Sequence, residues 1–194
     1  MSSAFRTPLY DAHLAAGGKI VEFAGWDMPV QYGSVLAEAK AVRDGVGMFD
    51  VSHMGRLRFT GERVAQYLEW VTSNDLSKLA DGTGQYSLLP NAAGGLVDDI
   101  IVYRVSPIEY RMVVNAANHE KDVAHLKAQN KFEVDMEDQT SATAMIAVQG
   151  PTATATLAGL SDKPAAFEEA PMFGLVDALV GGISVLRCRS GHTG

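Results

Sequence analysis

The chain has 194 residues, 47% of them hydrophobic and 20% charged, with a formal net charge of -7. That is enough apolar content for one large core or two small ones and too much for a disordered chain; the acidic balance, with no basic cluster to offset it, argues against a nucleic-acid partner. No apolar run is long enough to cross a membrane, Met1 to Tyr10 reads as neither signal nor transit sequence, and the lone Cys188 leaves no internal disulfide or multi-cysteine metal site, so a soluble cytoplasmic protein is expected.

Leu9 to Ala16 has helical character and ends at Gly17-Gly18, and Lys19 to Phe23 alternates like a strand. Ala24-Gly25-Trp26-Asp27-Met28-Pro29 reads as a loop punctuated by glycine and proline. Ser34 suits the N-cap of a helix to about Asp44, with Val35, Leu36, Ala39 and Val42 on one face, and Gly45 and Gly47 stop it. Met48 to Val51 and Arg56 to Phe59 look like strands, and Glu62 to Val71 a helix with Val64, Tyr67, Leu68 and Val71 at helical spacing. Tyr86 to Leu89 and Leu96 to Val105 form strands joined by a hairpin loop over Pro90 to Gly95. Tyr110 to Val114 follows as a strand, and Asn115 is expected to cap a helix from about Ala116 to Lys127. Phe132 to Met136 and Ala144 to Gln149 read as strands, Gly150-Pro151 opens a helix to Leu157, and Ile183 to Leu186 is strand-like.

Strands joined by hairpins, mixed with separate helices, give an α+β protein with antiparallel sheets and flanking helices. There is no internal repeat, low-complexity tract or evident linker; turn residues near Gly55 and near Gln139 mark candidate domain changes. The chain stops in the turn-like Arg189-Ser190-Gly191-His192-Thr193-Gly194, where a glycine-rich turn normally leads into another element, so the expectation is either a protein that ends in a turn or a fragment.

The strongest chemical feature is Gly94-Gly95-Leu96-Val97-Asp98-Asp99-Ile100-Ile101-Val102-Tyr103-Arg104, with two adjacent carboxylates in an apolar strand. Strand alternation sends Asp98 to the face of Leu96, Ile100 and Val102, and Asp99 to the face of Val97, Ile101 and Tyr103. Both faces look apolar, and a buried carboxylate is costly unless hydrogen-bonded or paired. A turn or an arginine pair would explain one of the two; two in succession favour a functional role for at least one. A carboxylate among apolar and aromatic groups suits a planar ligand bearing nitrogen, as a proton partner or a stabiliser of developing positive charge.

Other constellations are weaker. Asp50-Val51-Ser52-His53-Met54 holds triad residue types too close in sequence to converge, and reads as a capped strand end with a satisfied histidine. His13, His53, His119, His125 and His192 lack metal-ligand spacing, and no glycine-rich phosphate loop precedes a helix. Trp26 and Met28 read as core, and Cys188 as a small buried hydrophobe rather than a nucleophile.

Phe23 to Pro29, Gly47 to Gly55, Asn74-Asp75, Gly94 to Asp99, Val113 to Asn118 and Gln149-Gly150-Pro151 together resemble, in order and spacing, the glycine cleavage system aminomethyltransferase (T-protein) family, in its amino-terminal part. The resemblance covers nearly the whole chain. It implies an enzyme that moves a one-carbon unit from the aminomethyl-dihydrolipoyl arm of H-protein to tetrahydrofolate, giving 5,10-methylenetetrahydrofolate and ammonia. It implies two intertwined subdomains of a three-domain cloverleaf: 1–54 plus 140–194 as a first, incomplete folate-binding subdomain, 55–139 as a second α+β subdomain carrying Asp99, and a third, barrel domain absent from this chain. By position, Asp99 matches the catalytic aspartate, and Tyr86, Ile101, Tyr103 and Asn115 match folate-contacting positions, with Met54 a further contact. The co-substrate is tetrahydrofolate, no metal is implied, and the partner is the lipoyl-bearing H-protein. Ser73-Asn74-Asp75 departs mildly from the family's Thr-Asn-Asp, and His192 stands where the family usually has a tyrosine near folate. The family's folate-holding glutamate and arginines lie beyond the matched part, so this chain alone is expected to bind folate weakly or not at all and to be inactive. The alternative is a non-catalytic or differently acting folate-binding relative of the same fold.

Overall fold

A computed structural model describes residues 4–191. The chain opens with β1 (Phe5–Arg6), α1 (Tyr10–Ala15), β2 (Lys19–Phe23) and β3 (Trp26–Gln31). The stretch expected to be a loop from Ala24 to Pro29 is instead a tight hairpin. Ala24 (φ 51°) and Gly25 (φ 81°) both adopt left-handed backbone, the geometry a two-residue hairpin turn requires, so Trp26 is already in β3. Pro29 is tolerated because the ladder slips between Lys19 and Ile20, and β1 pairs only with Trp26 and Asp27.

Next come α2 (Val35–Asp44), β4 (Gly47–Asp50), β5 (Gly55–Thr60) and α3 (Val64–Val71). Ser34 caps α2 as expected, its hydroxyl accepting the Ala37 N–H at 3.4 Å. The apolar face read for α2 is not buried: none of its residues is, and Leu36 is 83% exposed. α3 buries Val64, Tyr67, Leu68 and Val71, the four residues its spacing picks out.

A five-stranded antiparallel sheet organises the middle of the chain, in the order β6-β7-β8-β5-β9, with β6 Thr83–Pro90, β7 Leu96–Ser106, β8 Glu109–Val114 and β9 Asp135–Asp138. α3 and α4 (His119–Gln129) cover one face, and Leu57, Phe59, Leu89, Ile100, Val102, Met112 and Val114 from the strands pack with Tyr67, Leu68 and Leu126 from the helices. The Tyr67 hydroxyl donates to the Leu126 carbonyl at 2.7 Å, which satisfies the polar end of a fully buried ring. A short 3-10 helix, Leu76–Lys78, absent from the sequence reading, is capped by Asp75. β9 begins three residues later than expected, after Glu133 at φ 56°.

The rest of the chain forms β10 (Ile146–Gln149), α5 (Ala153–Leu160), α6 (Pro164–Glu169), β11 (Leu175–Val180) and β12 (Ile183–Cys188). α5 starts after Pro151 rather than at it, and α6 and β11 were not foreseen. β10 pairs with β4, and β11 with β12 through a Gly181-Gly182 turn. Arg56 at the start of β5 ties these outer segments to the sheet, donating from Nη1 to the Ser52 carbonyl at 3.0 Å and from Nε to the Thr143 hydroxyl at 2.9 Å. Among the described residues no helix is long and apolar enough to cross a membrane.

Candidate functional site

Directly paired residues of an antiparallel sheet point to the same side. The register therefore lays out the face of the five-stranded sheet that α3 and α4 leave uncovered. Leu88 pairs with Asp99; Tyr86 pairs with Ile101 and Ile101 with Val113; Gly84 pairs with Tyr103 and Tyr103 with Arg111. Asn115 follows β8 beside Asp99, and Met54 precedes Gly55, which pairs with Val114. So Asp99, Tyr86, Ile101 and Tyr103 share one face, with Asn115 and Met54 at its Asp99 end.

Their surroundings differ. Asp99 is exposed and Tyr86 is 47% exposed, its ring edge-on to Phe173 at 5.2 Å between centroids. Asp99, Tyr86, Ser73, Asn74, Ser87 and Leu88 line a concavity of about 420 Å³. Asn74 shapes it, donating from its backbone to the Ser87 hydroxyl at 3.1 Å and from Nδ2 to the Tyr86 carbonyl at 2.9 Å. Tyr103 is on the same face but buried, beneath Cys188 and Ser190 at the end of β12. Its ring lies over Gly84, where an added Cβ would stand 2.3 Å from Tyr103 Cδ1. Burial pushes the Tyr103 phenol well above its usual range, and pushes the neighbouring Cys188 thiol up to about 11, which leaves both protonated at neutral pH. Ile101, Asn115 and Met54 are half-buried.

The expectation that both faces of β7 are buried holds for Asp98 and fails for Asp99. Asp98 is 4% exposed among Ile100 and Val102, whereas no helix covers Asp99. Burial pushes the Asp98 carboxyl up, but hydrogen bonds from the Asn115 side chain and backbone and from Asn118, with the Asp122 carboxyl beside it, outweigh that and hold it below the usual carboxylate range. The Asn115 N–H donates to Asp98 Oδ2 at 2.9 Å, and Asn115 Nδ2 to Asp98 Oδ1 at 3.0 Å. The same amide nitrogen donates to Asp99 Oδ1 at 3.0 Å and to the Asp99 carbonyl at 3.1 Å. Alternation separates the two aspartates, and Asn115 reconnects them.

Asn115 does not cap a helix as its position suggested. Ala116–Asn118 is a 3-10 turn before α4, and the Asn115 side chain turns to the two aspartates instead. Sequence reasoning also missed Ser73, Asn74, Ser87 and Leu88 as lining; Asn74 stood inside a recognised motif without an assigned role. Asp122 was missed too. The available signal was an acid at a core position of α4, four residues before buried Leu126.

The Asp50-to-Met54 segment makes no triad. Asp50 accepts from the Ser52 N–H at 2.9 Å, but its histidine partner is His13, with Nε2 2.9 Å from Asp50 Oδ2 and Nδ1 2.7 Å from the Tyr32 hydroxyl. His53 is not the satisfied histidine expected: its Nδ1 is buried without a hydrogen-bond partner, and its ring makes a T-shaped contact with Phe23. Among the described residues no three His, Cys, Asp or Glu side chains gather within metal-binding reach. His192 lies outside the described residues.

The GCVT N-terminal domain family matches residues 9–194. The chain is 48% identical over 190 residues to an aminomethyltransferase of Thermus thermophilus, covering 97% of this chain and 54% of that protein. It is 44% identical over 190 residues to the aminomethyltransferase of Thermotoga maritima, covering 97% and 52%. The chain thus spans about half the length of the curated relatives it matches. The crystal structure of glycine cleavage system aminomethyltransferase T from Bartonella henselae superimposes with a TM-score of 0.83 at 32% identity, over 91% of this chain and 48% of that one. Heterotetrameric sarcosine oxidase from Corynebacterium sp. U-96 shares the fold alone, with a TM-score of 0.59 at 16% identity over 80% and 77% of the two chains.

Proposed function

The chain belongs to the GCVT N-terminal domain family, and from that premise we infer that it carries the catalytic aspartate of a tetrahydrofolate-dependent aminomethyltransferase of glycine cleavage. The reaction moves a one-carbon unit from the aminomethyl group on the dihydrolipoyl arm of H-protein to tetrahydrofolate, and ammonia leaves. The observation that carries the reading is the position of Asp99: an exposed carboxylate at the wall of a concavity, fixed from behind by Asn115 and flanked by Tyr86 and Ile101.

Each group has a physical task. Tyr86 and Ile101 offer an aromatic and an aliphatic surface for a flat ring system. Asp99 accepts a hydrogen bond from a ring nitrogen and so orients it. Its negative charge favours the transition state as positive charge develops on the attacking nitrogen. Asn115 spends its amide protons on Asp98 and Asp99, so Asp99 does not have to reorganise as the reaction proceeds. Met54, beside Asn115, adds apolar surface at that end of the site.

The reading is tested with the protein that carries this chain. Ammonia release should require both tetrahydrofolate and aminomethylated H-protein, and omission of either should abolish it. Release that ignores tetrahydrofolate would refute the assignment.

A further inference from the structure

Asp122 is fully buried on α4, and neither of its carboxyl oxygens accepts a hydrogen bond. The group beside them is the carboxyl of Asp98 on β7, also buried. The donors are unevenly shared between the two. Asp98 takes the Asn115 N–H and the side-chain amides of Asn115 and Asn118, and Lys121 Nζ braces Asn118 from its Oδ1 side at 2.9 Å. Two ionised carboxylates in contact away from water are not both tolerated. With every donor on Asp98, the charge stays there. Asp122 keeps its proton and turns it toward Asp98, which satisfies both groups at once. Burial first, and Asp98 second, push the Asp122 carboxyl up to about 8, in agreement with that division. The charged groups facing the pair are Lys121 on α4 and, beyond Asn115, Asp99 on β7.

The amide that Asp98 holds is the amide that holds Asp99. We propose that Asp98 and Asp122 share a single proton and act, through Asn115, as positioning residues that fix the Asp99 carboxylate at the concavity. Loss of that proton puts two negative charges together, drives Asp98 from its place and frees Asn115 from both aspartates. The effect of the pair on turnover rests on the role assigned above to Asp99; the shared proton and its coupling to Asn115 do not.

The test uses the protein that carries this chain, with carboxyl-labelled aspartate and nitrogen-labelled asparagine, followed by NMR from about pH 6 to about pH 10, a range that brackets the Asp122 titration and excludes ordinary carboxyls. The expected result is one aspartate still protonated at neutral pH and titrating near pH 8, with the Asn115 side-chain amide signals moving in step. In Asp122→Asn, which keeps a donor that cannot ionise, both changes should vanish. Asp122 titrating with ordinary aspartates, or Asn115 indifferent to its titration, overturns the proposal, and the unsubstituted protein decides this if the variant does not fold. In the protein that carries this chain, Asp122→Leu should lower kcat about tenfold or more at every pH with KM less affected. Asp122→Asn should restore turnover and remove the alkaline fall in kcat that the unsubstituted protein shows. If the NMR behaves as expected while Asp99→Asn turns over normally, the functional reading fails and the shared proton stands.

Discussion

Two regions of this molecule use similar proportions of apolar residues to different effect. Between Leu57 and Val134 the five-stranded sheet and its two helices enclose every member of the main core. The flanking segments, 4–54 and 140–191, enclose a small cluster at Ala158, Phe167 and Ala178, and leave Phe23, Leu36, Met48 and Ile183 on the surface. Asp99 belongs to the first region, and Phe173, against Tyr86, to the second. The Asp99 carboxylate is thus mounted on the well-packed unit, where its geometry is fixed by the backbone ladder. The outer segments close around that unit through Arg56 and through the Leu175 N–H, which donates to the Gly82 carbonyl at 2.8 Å.

The contrast predicts unequal responses to substitution. Phe59→Ala removes a fully buried ring from the sheet core and should cost about 3–5 kcal/mol in chemical denaturation. A cost near that of a surface change would mean that the sheet region does not hold the core of the chain.

Asp122→Asn should have the next largest effect, and a pH-dependent one. A carboxyl whose pKa is higher in the folded chain than in the unfolded one binds more protons when folded, so it costs stability as pH rises. For Asp122 the cost is absent below its ordinary value of 3.8, grows through neutrality and is complete above about 8. The variant should gain on the unsubstituted chain steadily as pH rises through that window, and by a constant amount above it. Asp98, held low, contributes in the opposite sense: its stabilisation is present above the unfolded carboxylate range and is lost as pH falls into the acid range. Denaturation curves at pH 3, 5, 7 and 9 would separate the two, and a stability difference independent of pH would place the proton elsewhere.

Leu36→Ala marks the small end. On the 83% exposed position of α2 it should change stability by less than about 0.5 kcal/mol. A loss of several times that size would show that this face is covered in solution.

The same two regions divide what could be read from the residues. The face of α3 was legible because Val64, Tyr67, Leu68 and Val71 recur at helical spacing and the sheet they cover lies nearby in the chain. The face of α2 was legible as a pattern but not as burial: periodicity shows that a helix has an apolar side, not where its partner is. Alternation on β7 correctly divided Asp98 from Asp99. It could not reveal that Asn115, 16 residues beyond Asp99, rejoins them, because strand pairing and not spacing brings Asn115 back. The local rule that makes asparagine a helix cap was overridden by two carboxylates that need its amide more. The hairpin at Ala24-Gly25 was hidden for a simpler reason. Alanine is rarely left-handed, so only the glycine signalled the turn, and a proline three residues past Trp26 argued against a strand.

The central claim is that Asp99 acts on the reaction and not on the fold, and one substitution tests it directly. Asp99→Asn keeps the shape of an exposed side chain and removes its charge, so the protein that carries this chain should keep its melting behaviour. Tetrahydrofolate-dependent release of ammonia from aminomethylated H-protein should show a kcat about 10²–10³-fold lower, the scale expected when one stabilising group is taken from a transition state. A kcat equal to that of the unsubstituted protein would contradict the account.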